Sequence, residues 1–143
     1  MNDDVIFEFV DTNIFVYAYD TTAGPKNERA KLLLQQLWTA RRGAISIQVI
    51  QEFYVNVTRK IAIPLSGDIA RQIINDLQQW KVHSPVVTDL LGAIDIQKRY
   101  QISFWDALII RSATQSGCDR IWSEDLNAGQ VYDGVQIMNP FVN

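Results

Sequence analysis

Cysteine and histidine are nearly absent from this chain of 143 residues, which has one of each, Cys118 and His83. A single cysteine excludes an internal disulfide, and together the two residues exclude a metal site built from several His and Cys ligands. Long apolar runs are also lacking, since Val5–Val10 is interrupted by charge and is far shorter than the roughly 20 residues that span a bilayer. The N-terminus is acidic where a secretory signal is basic. We therefore predict a cytoplasmic protein without a membrane segment.

Strong net charge is missing as well. Hydrophobic residues make up 48% of the chain and charged residues 20%, and the net charge is −3, as in ordinary globular domains. The length is that of one typical domain, so we predict a single domain over residues 1–143. A protein that binds long nucleic acid along its backbone usually has a strongly basic face. Broad DNA binding is therefore disfavoured, whereas a short RNA held at one site is compatible with the charge.

Short β-branched segments alternate with amphipathic segments along the chain. The predicted strands are Val5–Val10, Ala44–Ile47, an edge segment at Val82–Val87, Arg120–Trp122 and Val135–Met138. The predicted helices are Asn13–Tyr19, Lys26–Trp38, Gln48–Lys60, Ser66–Trp80, one capped by Thr88 that runs to Tyr100, and one capped by Ser103 that runs to Ser116. This alternation predicts an α/β sandwich, in which a mainly parallel sheet has helices on both faces.

Four acids fall where such a sheet binds ligands, at the carboxyl ends of its strands. Asp11 ends the first strand and Asp125 follows the Arg120–Trp122 strand, while Glu52 and Asp106 lie in the early turns of two helices. Carboxylates that are held close together raise one another's pKa unless a cation compensates. Oxygen ligands without His or Cys favour Mg²⁺ or Mn²⁺ over zinc. Such an ion supports phosphodiester hydrolysis.

Each acid also has an ordinary structural interpretation. Asp11 could cap the short helix that follows it, and Asp106 completes a capping-box pattern with Ser103. Glu52 could belong to a solvated helix stripe, and Asp125 could cap a turn. Taken singly, these interpretations are the more common ones. They do not explain why all four acids are predicted at one edge of the sheet.

Three other functional classes compete with phosphodiester hydrolysis. A phosphatase with an aspartyl nucleophile, of the haloacid-dehalogenase type, needs a second Asp two positions after the first, where this chain has Asn13. A dinucleotide-binding enzyme needs a glycine-rich turn after the first strand, and Asp11-Thr12-Asn13-Ile14 contains no glycine. A non-catalytic interaction module that binds RNA or a protein partner stays open as the alternative. The absence of one of the four acids would have favoured this alternative, but all four are present.

The same residues resemble the PIN-domain ribonucleases, especially the VapC-like toxins of toxin–antitoxin pairs. The resemblance spans nearly the whole chain and rests on motifs that occur in order, namely Val10-Asp11-Thr12-Asn13, Gln51-Glu52-Phe53, Ser103-Phe104-Trp105-Asp106-Ala107-Leu108-Ile109, Ser123-Glu124-Asp125-Leu126 and Gly134-Val135-Gln136-Ile137-Met138-Asn139-Pro140-Phe141. The family's motif often has Thr where this chain has Ser123. Because both residues carry a hydroxyl group, the role of that position is retained.

The resemblance implies a five-stranded parallel sheet, one or two Mg²⁺ or Mn²⁺ ions, cleavage of RNA, a homodimer, and inhibition by a small antitoxin protein. By motif match it implies that the carboxylates of Asp11, Glu52, Asp106 and Asp125 form the metal site. Asn13 and Ser123 match polar positions that support such acids through hydrogen bonds.

A further acid and two tryptophans lie near these motifs. Some family members have an extra acid on the helix that contains Asp95, but here Asp95 has the spacing of a surface ion pair with Arg99. Trp105 and Trp122 flank site acids and could stack on RNA bases. For both tryptophans we favour core packing, and we assign His83 and Cys118 structural roles.

Overall fold

Six strands pair into one sheet in the part of the chain that this computed structural model describes, residues 5–142. They are β1 (Phe7–Val10), β2 (Gly43–Ser46), β3 (Lys81–His83), β4 (Cys118–Trp122), β5 (Val131–Tyr132) and β6 (Val135–Met138). The spatial order is β3-β2-β1-β4-β6-β5, and only the β5–β6 pair is antiparallel. The first strand of the chain therefore lies inside the sheet, between β2 and β4.

The helices are α1 (Thr12–Tyr19), α2 (Pro25–Ala40), α3 (Ile47–Arg59), α4 (Gly67–Leu77), α5 (Val87–Tyr100) and α6 (Phe104–Gln115). Helix α1 packs against α2 and α3, α3 packs against α4, and α5 pairs with α6. The chain moves from β1 to β2 to β3 in one direction and then returns across the sheet to β4. Because such crossovers are right-handed, α1–α4 cover one face of the sheet and α5 and α6 cover the other.

The core lies between these two helical layers and the sheet. Phe9, Val10, Ile45 and Ile121 of the inner strands are completely buried. Strands that are covered on both faces are largely apolar. All four residues of β2 are buried, whereas β1 is fully buried only in its second half, after Glu8. Such a rigid, buried sheet holds the residues at its strand ends in fixed positions.

The structure corrects several details of the predicted elements. The sheet has six strands rather than five, because β5 pairs with β6 across a turn in which Asp133 and Gly134 have φ values of 50° and 83°. Strand β3 ends at His83, before Pro85. Thr88 is not an N-cap, since α5 begins at Val87. None of the helices in residues 5–142 has the length and apolar character needed to cross a membrane.

A buried polar network joins β3 to α5 and α6. The Asp89 carboxylate accepts hydrogen bonds from the Val86 amide at 2.9 Å and from Arg111 Nε at 3.0 Å, and it lies 3.3 Å from His83 Nε2. The other imidazole nitrogen of His83 lies 2.8 Å from the Ser112 hydroxyl. His83 therefore has a structural role, as predicted, and this role is to connect the three elements.

Candidate active site at the carboxyl edge of the sheet

The four predicted acids follow the ends of inner strands or begin helices at the same edge. Asp11 comes directly after β1, and Asp125 lies three residues after β4. Glu52 lies early in α3, which begins directly after β2. Two residues separate the end of helix α6 from the start of β4, so the helix runs back along the sheet. Its length of about 18 Å brings Asp106 in its first turn toward the carboxyl edge.

Asp11 is the most buried of the four, with 8% of its surface exposed. Its Oδ1 accepts a hydrogen bond of 2.7 Å from the Thr12 amide, and its Oδ2 accepts one of 2.8 Å from the Ser123 hydroxyl. The pKa of Asp11 is raised from 3.8 to about 6, mainly by burial and also by the charges of Asp125 and Glu52, against the opposing effect of these hydrogen bonds. Asp11 therefore caps α1 and also lies in the field of two other acids.

Asn13 and Ser123 connect Asp11 to Asp125. The Nδ2 group of Asn13 donates a hydrogen bond of 2.6 Å to Asp125 Oδ2. The Ser123 hydroxyl, which is fully buried, accepts hydrogen bonds from the backbone amides of Asp125 and Leu126 while it donates to Asp11. Ser123, rather than Asp125, caps this turn, so the Asp125 carboxylate is directed by Asn13 and is free of a capping role.

Glu52 and Asp106 are held less tightly. Glu52 is exposed on α3, and its charge reaches Asp11 through space. Asp106 is half-buried, and its backbone amide donates a hydrogen bond of 3.1 Å to the Ser103 hydroxyl, which caps α6 as predicted. The structure thus links Asp11, Glu52 and Asp125 electrostatically. It places Asp106 at the same edge without a contact to the other acids among the described residues.

The chemistry of these donors suits a hard divalent cation. No Lys, Arg or His within residues 5–142 forms an ion pair with any of the four acids, so no described basic side chain neutralises them by direct contact. The side chains are nevertheless spread out, since no three His, Cys, Asp or Glu groups in the same residues lie close enough to hold a metal ion. The assignment of the four acids as metal ligands remains a prediction.

Sequence reasoning missed a second acid in the Asp125 loop. Glu124 forms an ion pair with Lys26 and accepts a hydrogen bond of 2.6 Å from the Tyr17 hydroxyl. Burial opposes ionisation of Glu124, but these two partners outweigh it and hold its pKa below the ordinary value. The pair anchors the Asp125 loop to α1 and α2. The spacing to Lys26 is too long for any local sequence pattern to reveal the contact.

The predictions for the two tryptophans and for Asp95 are confirmed in one case and wrong in two. Trp122 packs against the core, as predicted, and its Nε1 group donates a hydrogen bond of 2.8 Å to Glu8. The prediction of core packing for Trp105 is wrong, because 63% of its surface is exposed. The predicted ion pair between Asp95 and Arg99 is also wrong, because Arg99 pairs with Asp133 at 2.5 Å. Cys118 is buried, as its structural role requires, and burial raises the pKa of its thiol to about 12.

The family model for the PIN domain matches residues 9–134 of the chain. The chain belongs to the PIN-domain family. The match covers the strand ends that hold Asp11 and Asp125, as well as α3 and α6, so the acids of this PIN domain lie within the matched region. Comparison with curated proteins finds no match.

Solved structures similar to this PIN domain include several toxins. A toxin–antitoxin complex from Klebsiella pneumoniae has a TM-score of 0.68 at 17% identity, over 94% of this chain and 98% of that one. The sarcin–ricin loop cleaving toxin VapC20 of Mycobacterium tuberculosis has a TM-score of 0.63 at 18% identity, over 82% and 89% of the two chains. A DNA-bound VapBC complex from Salmonella typhimurium has a TM-score of 0.64 at 14% identity, over 94% and 98%. At these identities the similarity establishes the PIN fold.

Proposed function

We propose that this PIN domain is a metal-dependent endoribonuclease that hydrolyses RNA phosphodiester bonds, with Asp11, Glu52, Asp106 and Asp125 as its metal ligands. The observation that carries the proposal is the environment of Asp11, a buried carboxylate whose pKa is raised to about 6 by burial and by the charges of Asp125 and Glu52. A fold that retains such a group without a cationic partner gains stability when a divalent cation binds there. Carboxylate ligands favour Mg²⁺ or Mn²⁺.

The side chains around the acids have a positioning role in this proposal. Ser123 and the Thr12 amide fix both oxygens of Asp11, and Asn13 orients Asp125 through Oδ2. Polar contacts of this kind commonly hold metal ligands in position. When bound, the divalent ion supplies Lewis-acid activation of the phosphodiester and of the attacking water.

A cleavage assay with matched variants tests the proposal. The purified protein should cut RNA in Mg²⁺ or Mn²⁺ and stop when a chelator is added. Asp106→Asn and Asp125→Asn should each lower the rate by about 100-fold or more, the scale of losing a principal electrostatic group. Asp119→Asn removes an exposed acid from the start of β4 and should cut RNA at the wild-type rate.

Two results would argue against this function. Cleavage that survives exhaustive chelation would exclude metal dependence. A folded wild-type protein that binds RNA without cutting it in either metal would support the non-catalytic interaction module instead.

We further propose that the protein is the toxin of a toxin–antitoxin pair and acts in the cytoplasm. Support comes from the PIN family, and from the similarity to solved structures that are toxin–antitoxin complexes. Expression in bacteria should arrest growth, and co-expression of the gene directly upstream should restore growth. Growth that continues despite abundant folded protein would contradict the toxin assignment.

We also propose that the protein is a homodimer, as the family resemblance implies. Four apolar side chains at i, i+3, i+4 and i+7 form an exposed stripe on α5, here called the α5 apolar stripe, consisting of Val87 (70% exposed), Leu90 (38%), Leu91 (59%) and Ile94 (38%). Exposed apolar groups that lie together on one surface commonly mark a protein contact. We assign this stripe to the contact with a second copy of the chain.

A further inference from the structure

A cavity of about 310 Å³ lies between α3 and α6, beside one of the proposed metal ligands. Its walls are formed by Gln48, Gln51, Glu52 and Trp105. The volume is at the lower end of the range for small-molecule sites, about 300–1,000 Å³, and therefore suits a single planar ring. The cavity is named the α3–α6 cavity here.

Trp105 forms one wall of the α3–α6 cavity and is supported by a neighbouring ring. Its ring meets the Phe104 ring edge to face, with 5.2 Å between the centroids and 76° between the planes. Phe104 in turn packs against the hydrophobic core. An exposed indole that is anchored in this way loses little conformational entropy when a second ring stacks on it. Glu52, a proposed metal ligand, lines the same cavity, so a ring stacked on Trp105 lies next to the proposed metal site.

Two glutamines form the opposite wall. Gln48 and Gln51 are three residues apart on α3, so they share one face of the helix with Glu52. The Gln48 Oε1 atom is buried and accepts no hydrogen bond from a described group, which is an unfavourable state. A rotation of the Gln48 amide that presents this oxygen to a donor in the cavity would relieve it. A side-chain amide both donates and accepts hydrogen bonds, and it can pair with the edge of a nucleobase.

The charges of the residues that line the cavity favour a neutral ring over a phosphate group. The four lining residues include no cation, and the carboxylate of Glu52 repels an anion. A stacking surface, two amides and one carboxylate are instead complementary to a base that presents amino groups.

We infer that the α3–α6 cavity is a nucleobase subsite for single-stranded RNA, in which Trp105 stacks on one base and Gln48 and Gln51 hydrogen-bond to its edge. The inference rests on the proposed ribonuclease function and adds to it the residues that select the base beside the cleaved phosphodiester. Trp105 and the two glutamines are substrate-binding residues, and they take no part in the proposed chemistry of the acids.

The test uses fluorescein-labelled single-stranded hexaribonucleotides, in which each position in turn lacks its base. Binding is measured by fluorescence anisotropy in chelator, so that no cleavage occurs. Trp105→Leu, which retains apolar bulk without a π face, should weaken binding of the complete oligonucleotide by about fivefold to a hundredfold, the scale of one stacked base. Trp105→Phe should bind within about threefold of wild type, because a phenyl ring also stacks.

The oligonucleotide that lacks the base stacked on Trp105 tests whether the loss of binding in Trp105→Leu comes from that one stacking contact. At that one position the abasic oligonucleotide should bind wild type and Trp105→Leu equally, while elsewhere the difference between the two proteins should persist. Gln48→Met, which keeps the length and removes the amide, should change the ranking of the four bases at that position. Trp38→Leu replaces another exposed tryptophan, on α2, and should bind RNA like wild type. A thermal melt of each variant checks that it is folded.

Two outcomes overturn the inference in distinguishable ways. In the first, wild type cuts RNA, but loss of the base at every position weakens binding of wild type and of Trp105→Leu by the same factor. That result would contradict the base subsite and would leave the proposed ribonuclease function intact. In that case the exposed Trp105 would be assigned to a protein contact. Wild type that neither binds nor cuts RNA would overturn the proposed function and the subsite together.

Discussion

The Asp11 carboxylate caps a helix and is also buried beside other acids, two roles that favour opposite protonation states. As the N-cap of α1 it accepts a hydrogen bond from the Thr12 amide, yet it is also buried next to other carboxylates. Burial raises its pKa to about 6, so the folded protein binds a proton at Asp11 more tightly than the unfolded chain does. Protonation of Asp11 therefore stabilises the fold below about pH 4, and this contribution is lost as the pH rises through 6.

Asp11→Asn should remove this pH dependence. In chelator, the free energy of unfolding of the variant relative to wild type should rise between pH 4 and pH 7.5, by up to about 3 kcal/mol for a shift of about two pKa units. Urea unfolding of both proteins at several pH values measures the difference. Other carboxyl groups titrate in both proteins and cancel. Parallel curves over this range would mean that Asp11 titrates alike in the folded and unfolded chain.

The residues of the candidate site could be predicted to different extents. Asp11, Glu52, Asp106 and Asp125 were identified because acids at strand ends and in first helical turns follow a local pattern. The contacts that orient them could not be predicted in this way. The hydrogen bonds from Ser123 to Asp11 and from Asn13 to Asp125 each join residues 112 positions apart, and only the packed sheet brings those residues together.

At the scale of elements, Asp89 secures the start of α5. Its carboxylate binds the Val86 amide, Arg111 of α6 and His83 of β3. The hydrogen bond from Val86, together with Arg111 and His83, lowers the pKa of Asp89 against the effect of burial. The stabilisation is therefore present above the ordinary pKa of 3.8, and it is lost as the pH falls through the folded value. Gly92 permits this arrangement, because a Cβ atom there would lie 2.9 Å from the Arg111 guanidinium.

Asp89→Asn should lower the free energy of unfolding at pH 7 by about 2 kcal/mol or more, because it leaves the partly buried Arg111 without a counter-charge. Asp95→Asn changes an exposed acid on the same helix and should alter stability by less than about 0.5 kcal/mol. Urea unfolding of the two variants and wild type makes the comparison. Equal stabilities of the two variants would show that the network contributes nothing to the fold.

The ends of helices and strands were predicted correctly where a local sequence signal was strong. They were missed where contacts between distant residues determine the end of the element. Ser66 and Ser103 cap α4 and α6 through their side chains, which a sequence pattern indicates well. Thr88 carries the same kind of signal, but Asp89 captures the Val86 amide and starts α5 one residue earlier than Thr88. Strand β5 has two residues and no periodicity of its own, although the Asp133-Gly134 pair is a typical signal for a hairpin turn.

For the whole molecule, the α5 apolar stripe gives a prediction about assembly. Leu91→Lys places a charge in the proposed contact and should shift the protein from a dimer to a monomer of 16.3 kDa. Ile63→Lys makes the same change at a side chain of similar exposure, 63% compared with 59% for Leu91, in the segment between α3 and α4. It should leave the dimer intact. Sedimentation velocity distinguishes the two species, and a wild-type protein that sediments as a monomer would contradict the proposal.

The order of the strands has a consequence for synthesis on the ribosome. Strand β1 is made early, but β4, which pairs with it inside the sheet, is made more than a hundred residues later. At about 5–20 residues per second, several seconds separate the two strands. During that interval the nascent chain contains Asp11 without Ser123 and Asp125. A chain that has not yet reached Asp125 therefore cannot assemble the candidate site, so on the proposed ribonuclease function a ribosome that translates this message meets no active domain until the segment after β4 has emerged.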